Sequence, residues 1–339
     1  PRSHLMTRAV VLDKPGTWRV AAAEPPEPGP GEALVEIAAA GICGSDRELF
    51  ADTRPEGFAA YPVTPGHEWS GTVVAVGPGA DAGLLASRVV GEGYRSCLTC
   101  DNCRNGETNL CAAGYDETGF TSPGAFADHL LLPARLLHVL APDADLRAAA
   151  LLEPAAIAAA GVRKLRPRPG ESVAVIGAGT LGVLTVQLLA ACSPARLVVI
   201  DPRPARAEPA LRAGATAFHG PDRIGPLYGR FDAVLESAGA PGTAYAAVAL
   251  VRRGGRVTIT GIPGDAADAV PTTLIVTRNL SLHSVFGSTS ADWAFAVRAF
   301  NAGILAPAPF ITAELPLEDY ERGLELSSAP TAGKILLRP

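Results

Sequence analysis

A histidine and a glutamate stand side by side at His67 and Glu68, between glycines and ahead of the β-branched run 72–76. Thiolate sulfur, imidazole nitrogen and carboxylate oxygen are the usual protein ligands of zinc. A catalytic zinc takes about three of them and keeps one position open. Cys43 upstream and Glu153 downstream could complete such a set. Any one of these residues alone would more often be an ordinary core residue, but together they predict a catalytic zinc site.

Four other cysteines share one short stretch with the spacing C-x2-C-x2-C-x7-C. Four thiolates can surround a tetrahedral zinc with no open position, and the metal-binding energy then contributes to folding. An iron–sulfur cluster uses a superficially similar spacing, but no proline follows the last cysteine, as it does in the bacterial ferredoxin motif. The spacing therefore predicts a structural zinc site formed by Cys97, Cys100, Cys103 and Cys111.

A glycine-rich turn follows the apolar run 171–176 and opens into the apolar stretch 183–191, which should be a helix. A strand, a G-x-G-x-x-G turn and a helix in this order are typical of dinucleotide binding, with the pyrophosphate on the helix N-terminus. The turn alone would be weak evidence. In this setting it predicts cofactor contacts from Gly177, Gly179, Thr180, Leu181 and Gly182.

The next apolar run, 196–200, ends in Asp201. An acid at this point accepts hydrogen bonds from the adenosine ribose and repels a 2′-phosphate, which favours NAD over NADP. Arg203 and Arg206 follow closely, and arginines here can hold a 2′-phosphate. NADP therefore stays open as the cofactor.

Further predicted strands at 231–236, 255–261 and 280–286 alternate with helical segments, which is typical of a parallel sheet. Ligands bind outside the carboxyl ends of such strands. Ordinary strand-to-helix loops explain any single residue there about equally well. The candidates for lining the nicotinamide pocket are Ser237, Gly261 and Phe286.

The chain of 339 residues, 48% hydrophobic, is long enough for about two domains. Residues 8–142 alternate short strands with Gly/Pro turns and predict a compact β barrel or sandwich, ahead of a helix over 147–162 and the α/β part. Residues 1–5 resemble the remnant of a purification tag before Met6, so we expect them to have no part in the fold or the function. The sequence shows neither a leader that would predict export nor an apolar run of about 20 residues that would predict a membrane span. We therefore expect a cytoplasmic protein. A net charge of -5 without a basic patch makes nucleic acid an improbable partner.

The segments Gly41-Ile-Cys-Gly-Ser-Asp46 and Gly66-His-Glu68 resemble those of the zinc-dependent medium-chain alcohol and polyol dehydrogenases. The resemblance extends over nearly the whole chain. It implies an α/β protein in two domains: a GroES-like, β-rich catalytic domain and a doubly wound Rossmann domain inserted into it. The implied bounds are 6–152 with 291–339 for the first domain and 153–290 for the second.

The resemblance also implies roles. The substrate alcohol binds the catalytic zinc, its proton passes to Ser45, and a hydride passes to the nicotinamide. Cys43 and His67 ligate zinc. Glu68 can ligate it directly, and Glu153 can either ligate it or hold the metal-bound water, so the third ligand is left open between the two carboxylates. Arg206 packs on the adenine. Many relatives place a histidine where this chain has Glu48, which could pass the proton, leave that route to water, or contact a polar or amine-bearing substrate.

The substrate is left open among related small molecules. The Gly-Ser-Asp motif and Glu153 favour the sorbitol and threonine dehydrogenase branch. The segment in which Trp69 follows the His-Glu pair is similar to that of dehydrogenases of aminocyclitol pathways. A zinc-free quinone-reductase-like enzyme would need neither zinc site, and a non-catalytic nucleotide-binding relative would need no open zinc site. Relatives are often dimers or tetramers, so we expect a homo-oligomer.

Overall fold

The structure is a computed structural model and describes residues 6–263, 269–329 and 331–339. Contacts between residues divide the chain into two compact units. The first unit comprises Pro1–Glu153, Thr289–Val297 and Pro307–Pro339, and the second comprises Pro154–Ser288 and Arg298–Ala306. The chain therefore leaves the first unit after Glu153 and returns at Thr289, and it contributes Arg298–Ala306 to the second unit before it returns to the first for its last residues.

Short strands make up much of the first unit, and the strands of the second lie between helices. In chain order the strands of the described residues are β1 (Thr7–Lys14), β2 (Thr17–Ala23), β3 (Glu32–Gly41), β4 (Glu68–Val76), β5 (Arg88–Gly91), β6 (His129–Pro133), β7 (Leu137–Val139), β8 (Ser172–Ile176), β9 (Arg196–Ile200), β10 (Ala217–His219), β11 (Phe231–Glu236), β12 (Val251–Ile259), β13 (Ser281–Ser284), β14 (Ile311–Pro316) and β15 (Lys334–Arg338).

The α-helices, in chain order, are α1 (Gly44–Ala51), α2 (Asp101–Arg104), α3 (Leu146–Ala149), α4 (Leu152–Leu165), α5 (Thr180–Ala190), α6 (Ala207–Arg212), α7 (Thr243–Leu250), α8 (Thr272–Arg278), α9 (Ser290–Asn301) and α10 (Tyr320–Ser327). Within the described residues, none of them combines the length and apolar character needed to cross a membrane.

The single helix predicted over 147–162 is wrong, because the structure has α3 and α4 with a break between them. Pro154 explains the break. A proline ring clashes with the carbonyl four residues earlier and lacks the N–H of a helix interior. In the first turn of a helix neither property matters, so α4 begins at Leu152 and Pro154 falls in its first turn.

The first unit is built on a seven-stranded sheet with the path β14-β15-β3-β4-β5-β7, and β6 also pairs with β3. Its pairs are antiparallel apart from β14 with β15, and β1 pairs with β2 in a separate hairpin. The core against this sheet contains large buried side chains, among them Trp69, Phe126 and Tyr320. This is the GroES-like, β-rich unit that the resemblance implies.

The second unit is built on a six-stranded parallel sheet in the order β10-β9-β8-β11-β12-β13. Starting from β8, the first strand of the unit, this is the 3-2-1-4-5-6 order of the doubly wound Rossmann fold. After their first residues, β8 and β9 are apolar and buried, as expected for a sheet covered on both faces. The α/β prediction for this part of the chain is confirmed.

Candidate active site

The cluster of Cys43, His67 and Glu68 lies at one edge of the first unit's sheet. Gly41, the last residue of β3, pairs with Glu68, the first residue of β4. Cys43 therefore follows one strand and His67 precedes its neighbour, which brings both to the same edge. One ligand atom from each of the three side chains lies within 4.8 Å of the others. A side chain at position 41 would clash with the Glu68 carboxylate, so this close pairing needs the glycine.

Asp46 links the two candidate ligands Cys43 and His67. Its Oδ2 accepts a hydrogen bond from the Cys43 N–H at 2.8 Å, and its Oδ1 lies 3.6 Å from Nδ1 of His67. Asp46 is fully buried. Burial of His67 disfavours the imidazolium, but the charge of Asp46 and the contact with Cys43 outweigh it and raise the pKa of His67. A carboxylate behind an imidazole orients the ring and leaves Nε2 for a metal.

Lys334 holds the third candidate ligand, Glu68, in place. The sequence analysis did not predict this contact. Its Nζ lies 2.7 Å from Oε1 and 2.6 Å from Oε2 of Glu68, and it donates to the carbonyl of Ile42 at 3.1 Å. Glu68 is 1% exposed and Lys334 is 5% exposed. The charge of Glu68 outweighs the effect of burial and raises the pKa of Lys334. The two residues form a buried ion pair between β4 and β15.

Glu153 lies outside the three-residue cluster. Among the described residues, it joins no group of three close metal-ligand side chains. Burial raises its pKa to about 8, although the nearby His67 acts in the opposite direction. Ser45 lies in the first turn of α1 and is partly buried, while Glu48 on the same helix keeps 56% of its side chain exposed.

The donor set of the cluster fits a zinc ion. It offers sulfur, imidazole nitrogen and carboxylate oxygen at separations that a tetrahedral ion with bonds of about 2.0 to 2.3 Å can span. Nδ1 of His67 and Oδ1 of Asp46 are buried without a hydrogen-bond partner. Oε2 of Glu68 also lacks a hydrogen bond of good geometry, although Lys334 lies within ion-pair distance. The Nδ1 and Oδ1 atoms face each other at 3.6 Å, so Oε2 of Glu68 is the buried atom of these three that indicates a missing partner on the metal side.

The four cysteines predicted to hold a structural zinc lie in the segment 97–111, the cysteine lobe. They also come together, and the Sγ atoms all lie within 4.8 Å of one another. The Sγ atoms of Cys97 and Cys103 are 4.0 Å apart, close to the roughly 3.8 Å between sulfurs of a tetrahedral zinc site. Backbone N–H groups point at the sulfurs: Cys100 donates to Cys97, and Ala112 donates to Cys100. Hydrogen bonds from Thr99 come first among the contacts that lower the pKa of Cys97 to about 5. Such N–H donors favour thiolates, so the lobe fits a closed zinc site.

The predicted dinucleotide turn joins β8 to α5 in the second unit. Gly177 has a φ of 100°, a conformation that favours glycine. A Cβ on Gly182 would clash with the carbonyl oxygen of Gly177. Thr180, Leu181 and Gly182 form the first turn of α5, where free N–H groups and the helix dipole favour an anion.

Asp201 follows β9 as predicted, but its carboxylate is already fully hydrogen-bonded. Oδ2 accepts from the Ala178 N–H at 2.8 Å and from Nη2 of Arg203 at 2.7 Å. Oδ1 accepts from the backbone N–H and from Nε of Arg203 at 2.9 and 2.8 Å. Burial favours the neutral acid, yet these hydrogen bonds lower the pKa of Asp201. Burial comes first, and the charge of Arg203 next, among the causes that lower the pKa of Arg206.

The predicted nicotinamide-lining residues lie at or just beyond the ends of β11, β12 and β13. The Ser237 hydroxyl donates to the carbonyl of Ile176 at 2.9 Å, which joins this loop to the glycine-rich turn. A Cβ on Gly261 would lie 2.6 Å from the Glu236 carboxylate. Phe286 is 44% exposed. Glu236, which the sequence analysis missed, accepts from the N–H groups of Ala238 and Gly239 at 2.7 and 2.8 Å and organises this loop.

Two protein-family models match the chain. The model described as an alcohol dehydrogenase GroES-like domain matches residues 29–143, and the zinc-binding dehydrogenase model matches residues 180–302. The first match contains the metal-ligand cluster and the cysteine lobe. The second begins at α5, directly after the first two glycines of the turn.

Individual relatives match nearly the whole chain. The L-threonine 3-dehydrogenase of Streptomyces avermitilis is 30% identical over 97% of this chain and 98% of its own length. The alcohol dehydrogenase TADH from Thermus sp. ATN1 is 31% identical, with a TM-score of 0.85 over 98% of this chain and 99% of its own. A Sinorhizobium meliloti 1021 protein solved bound to NADP is 28% identical, with a TM-score of 0.91 over 98% and 99%.

The buried ion pair yields a first prediction. Lys334→Met would leave the Glu68 carboxylate buried without its cation, so we expect the metal-free first unit to lose about 3 to 5 kcal/mol of unfolding free energy. Tryptophan fluorescence during urea unfolding measures this unit alone, because Trp18, Trp69 and Trp293 all belong to it. Lys334→Arg should retain most of the stability. Unchanged stability of Lys334→Met would contradict the pair's role.

A second prediction concerns the Asp201 carboxylate. Arg203→Ala frees two acceptor oxygens for ribose hydroxyls and removes a cation that could meet a 2′-phosphate. We expect the ratio of NADP to NAD dissociation constants to rise by about 10- to 150-fold, as for hydrogen bonds to charged groups. Calorimetric titration with each nucleotide gives the ratio. Arg212→Ala, which removes an exposed ion pair with Glu208 in the same unit, is the matched control. Equal weakening of both nucleotides would disprove the idea.

Proposed function

Since the chain belongs to the zinc-dependent medium-chain alcohol and polyol dehydrogenases, we propose that it interconverts a secondary alcohol and a ketone, with the alcohol of polyol or aminocyclitol type. The observation that carries this proposal is the convergence of Cys43, His67 and Glu68 at one sheet edge. A zinc ion held there would lower the pKa of the substrate hydroxyl, and a bound NAD would accept the hydride.

The chain's own residues then have distinct tasks. Cys43, His67 and Glu68 would hold the catalytic metal, and Asp46 would fix the orientation of His67 through its Nδ1. Glu153, which the resemblance offered as an alternative third ligand, lies outside this set of three, and its burial raises its pKa to about 8. Ser45, on the helix that begins after Cys43, would accept the alcohol proton. The four lobe cysteines would hold the structural zinc.

We also propose the nucleotide contacts and domain bounds that the sequence predicted. The catalytic domain would comprise 6–152 and 291–339, and the nucleotide domain 153–290. The division of the chain into two units supports this assignment. The glycine-rich turn and the first turn of α5 would hold the pyrophosphate, and Arg206 would pack on the adenine. Asp201 would accept from the ribose in place of a hydrogen bond that it now takes from the Arg203 side chain. The Ser237, Gly261 and Phe286 loops would line the nicotinamide site.

A threonine-type dehydrogenase is the second candidate function. The L-threonine 3-dehydrogenase of Streptomyces avermitilis matches over 97% of this chain, which favours this branch. Both candidates share the metal and cofactor chemistry and differ in the substituents beside the reacting carbon. Activity toward sorbitol, threonine and aminocyclitols separates them.

Substitution of a candidate ligand of the catalytic zinc tests the proposed function. We expect two zinc ions per chain and reduction of NAD by at least one of these alcohols. Cys43→Ala should lose one zinc and at least about 100-fold in kcat/KM, because zinc supplies several kcal/mol of transition-state stabilisation. Metal analysis and nicotinamide absorbance measure both. Full turnover by Cys43→Ala, with zinc in the cysteine lobe alone, would refute the mechanism.

We propose that the expected homo-oligomer forms through β13, the edge strand of the six-stranded sheet. Within the described residues one side of β13 pairs with no other strand, and such an edge is a template for a second copy of the strand. Adjoining segments expose Ile262 and Val276, 73% and 76% accessible, and exposed apolar groups in such a position favour association.

The cytoplasmic location is also part of the proposal, because the clustered thiols need reducing conditions.

Light scattering after size exclusion tests this surface. Val276→Asp places a charge beside the proposed contact, so we expect its mass to fall to that of a single chain. Leu211→Asp changes an exposed leucine elsewhere in the same unit, and this control variant should have the same mass in solution as the wild-type protein. A wild-type protein that runs as a monomer, or an unchanged oligomer in Val276→Asp, would rule the surface out.

A further inference from the structure

Arg54 lies one aromatic ring away from the candidate zinc ligand His67. Its guanidinium carbon sits 3.8 Å from the centre of the Phe120 ring. The same ring packs on the His67 imidazole, with centres 4.8 Å apart. Phe120 is 1% exposed, and the Arg54 side chain is 11% exposed. One ring, Phe120, therefore contacts both the Arg54 cation and the candidate zinc ligand His67.

The guanidinium is anchored but not neutralised. Nε donates to the carbonyl of Phe58 at 2.9 Å, and Nη2 donates to the Tyr115 hydroxyl at 3.0 Å. Tyr115 in turn donates to the buried Glu117, which burial keeps at a raised pKa. In the described part of the chain, no carboxylate lies within hydrogen-bonding distance of Arg54. The nearest is Glu48, with Oε2 at 3.9 Å from Nη1.

This arrangement leaves binding capacity on Arg54. A guanidinium has five N–H donors in a planar fork, of which two have the protein acceptors just named. Of the other three donors, those on Nη1 lie near the exposed Glu48, whose Oε2 is 3.9 Å away, and such a pair is weak. A mostly buried cation without a hydrogen-bonded anion is costly. Stacking on Phe120 offsets part of that cost, and an anionic ligand would offset more.

We propose that Arg54 is a specificity-determining residue that binds an anionic group of the substrate, a carboxylate or a phosphate. The inference rests on the proposed function, which places the reacting hydroxyl at Cys43, His67 and Glu68. The anionic group lies a few bonds from the reacting carbon, since a single ring separates Arg54 from His67. Carboxylate and phosphate both match the fork of a guanidinium. Arg54 selects the substrate, while the metal-ligand cluster carries out the reaction.

Matched substrates test this assignment. Sorbitol, gluconate and sorbitol 6-phosphate share a polyol chain and differ in the terminal group, and threonine is paired with 1-amino-2-propanol. For the zinc-replete protein we expect kcat/KM to be higher for the anionic member of a pair. Arg54→Gln should reduce that advantage by about 10- to 150-fold, mainly through KM, as for hydrogen bonds to a charged group. Arg54→Lys should restore part of it.

The controls separate selection from folding. Arg88→Gln removes another partly buried arginine of this unit, which donates to the carbonyl of Ala144, and should keep the wild-type ratio. A wild-type protein that prefers the neutral members, or an Arg54→Gln variant that loses the same factor on every substrate, would overturn the assignment. The gluconate and phosphate arms show which anion is preferred.

Calorimetry distinguishes a failure of the proposed function from a failure of this inference. If no alcohol reacts while zinc is fully bound, the proposed function fails. Tighter binding of gluconate than of sorbitol, lost in Arg54→Gln, would still support the anion site. Equal binding of the two compounds would refute it.

Discussion

The buried charges around Glu68 constrain the first unit more than any other feature. Moving a carboxylate and an ammonium out of water costs several kcal/mol each, so neither can stay buried alone. Glu68 and Lys334 offset that cost in each other. The ammonium also takes the carbonyl of Ile42, which precedes Cys43 by one residue. One lysine thus fixes the third candidate ligand and the strand end that leads to the first.

This constraint explains why the chain must return to its first unit. Glu68 begins β4 and Lys334 begins β15, and both strands flank β3 in the sheet. The pairing of Leu336 with Gly41 sets the register that brings the lysine beneath the cluster. A unit made of the N-terminal residues alone would leave the Glu68 carboxylate buried without its cation. The final strand is therefore part of the candidate site as well as of the sheet.

The sequence predicted the parts of the site whose signal is local. The cysteine spacing, the His-Glu pair and the strand, turn and helix around Gly177 each fall within a few residues, and the structure brings each set together. Lys334 could not be predicted in this way, because it lies 266 residues from Glu68 and a lysine in an apolar strand suggests only an edge position. Its rarity was the available signal, since the chain has lysine only at 14, 164 and 334.

Contacts between residues close in the sequence could not be predicted from residue types alone either. Asp201 and Arg203 were recognised as opposing influences on cofactor choice, but their mutual ion pair depends on side-chain geometry that spacing does not contain. The single helix expected over 147–162 failed for a local reason, since Pro154 has a different effect in a first turn than in a helix interior. The fold class was predictable because periodicity and strand order repeat over many residues, whereas a single contact does not.

The residues around His67 that belong to the metal-ligand cluster and those proposed to select the substrate are held in place by different parts of the fold. Asp46 and Glu68 are positioned by strand ends and a helix start within the main sheet, so the metal-binding geometry is tied to the fold itself. Arg54 and Phe120 lie on connecting segments and are held by each other and by Tyr115. Loops tolerate replacement far better than a buried charge pair does. The same sheet can therefore keep one reaction while its loops change the charge of the substrate it accepts.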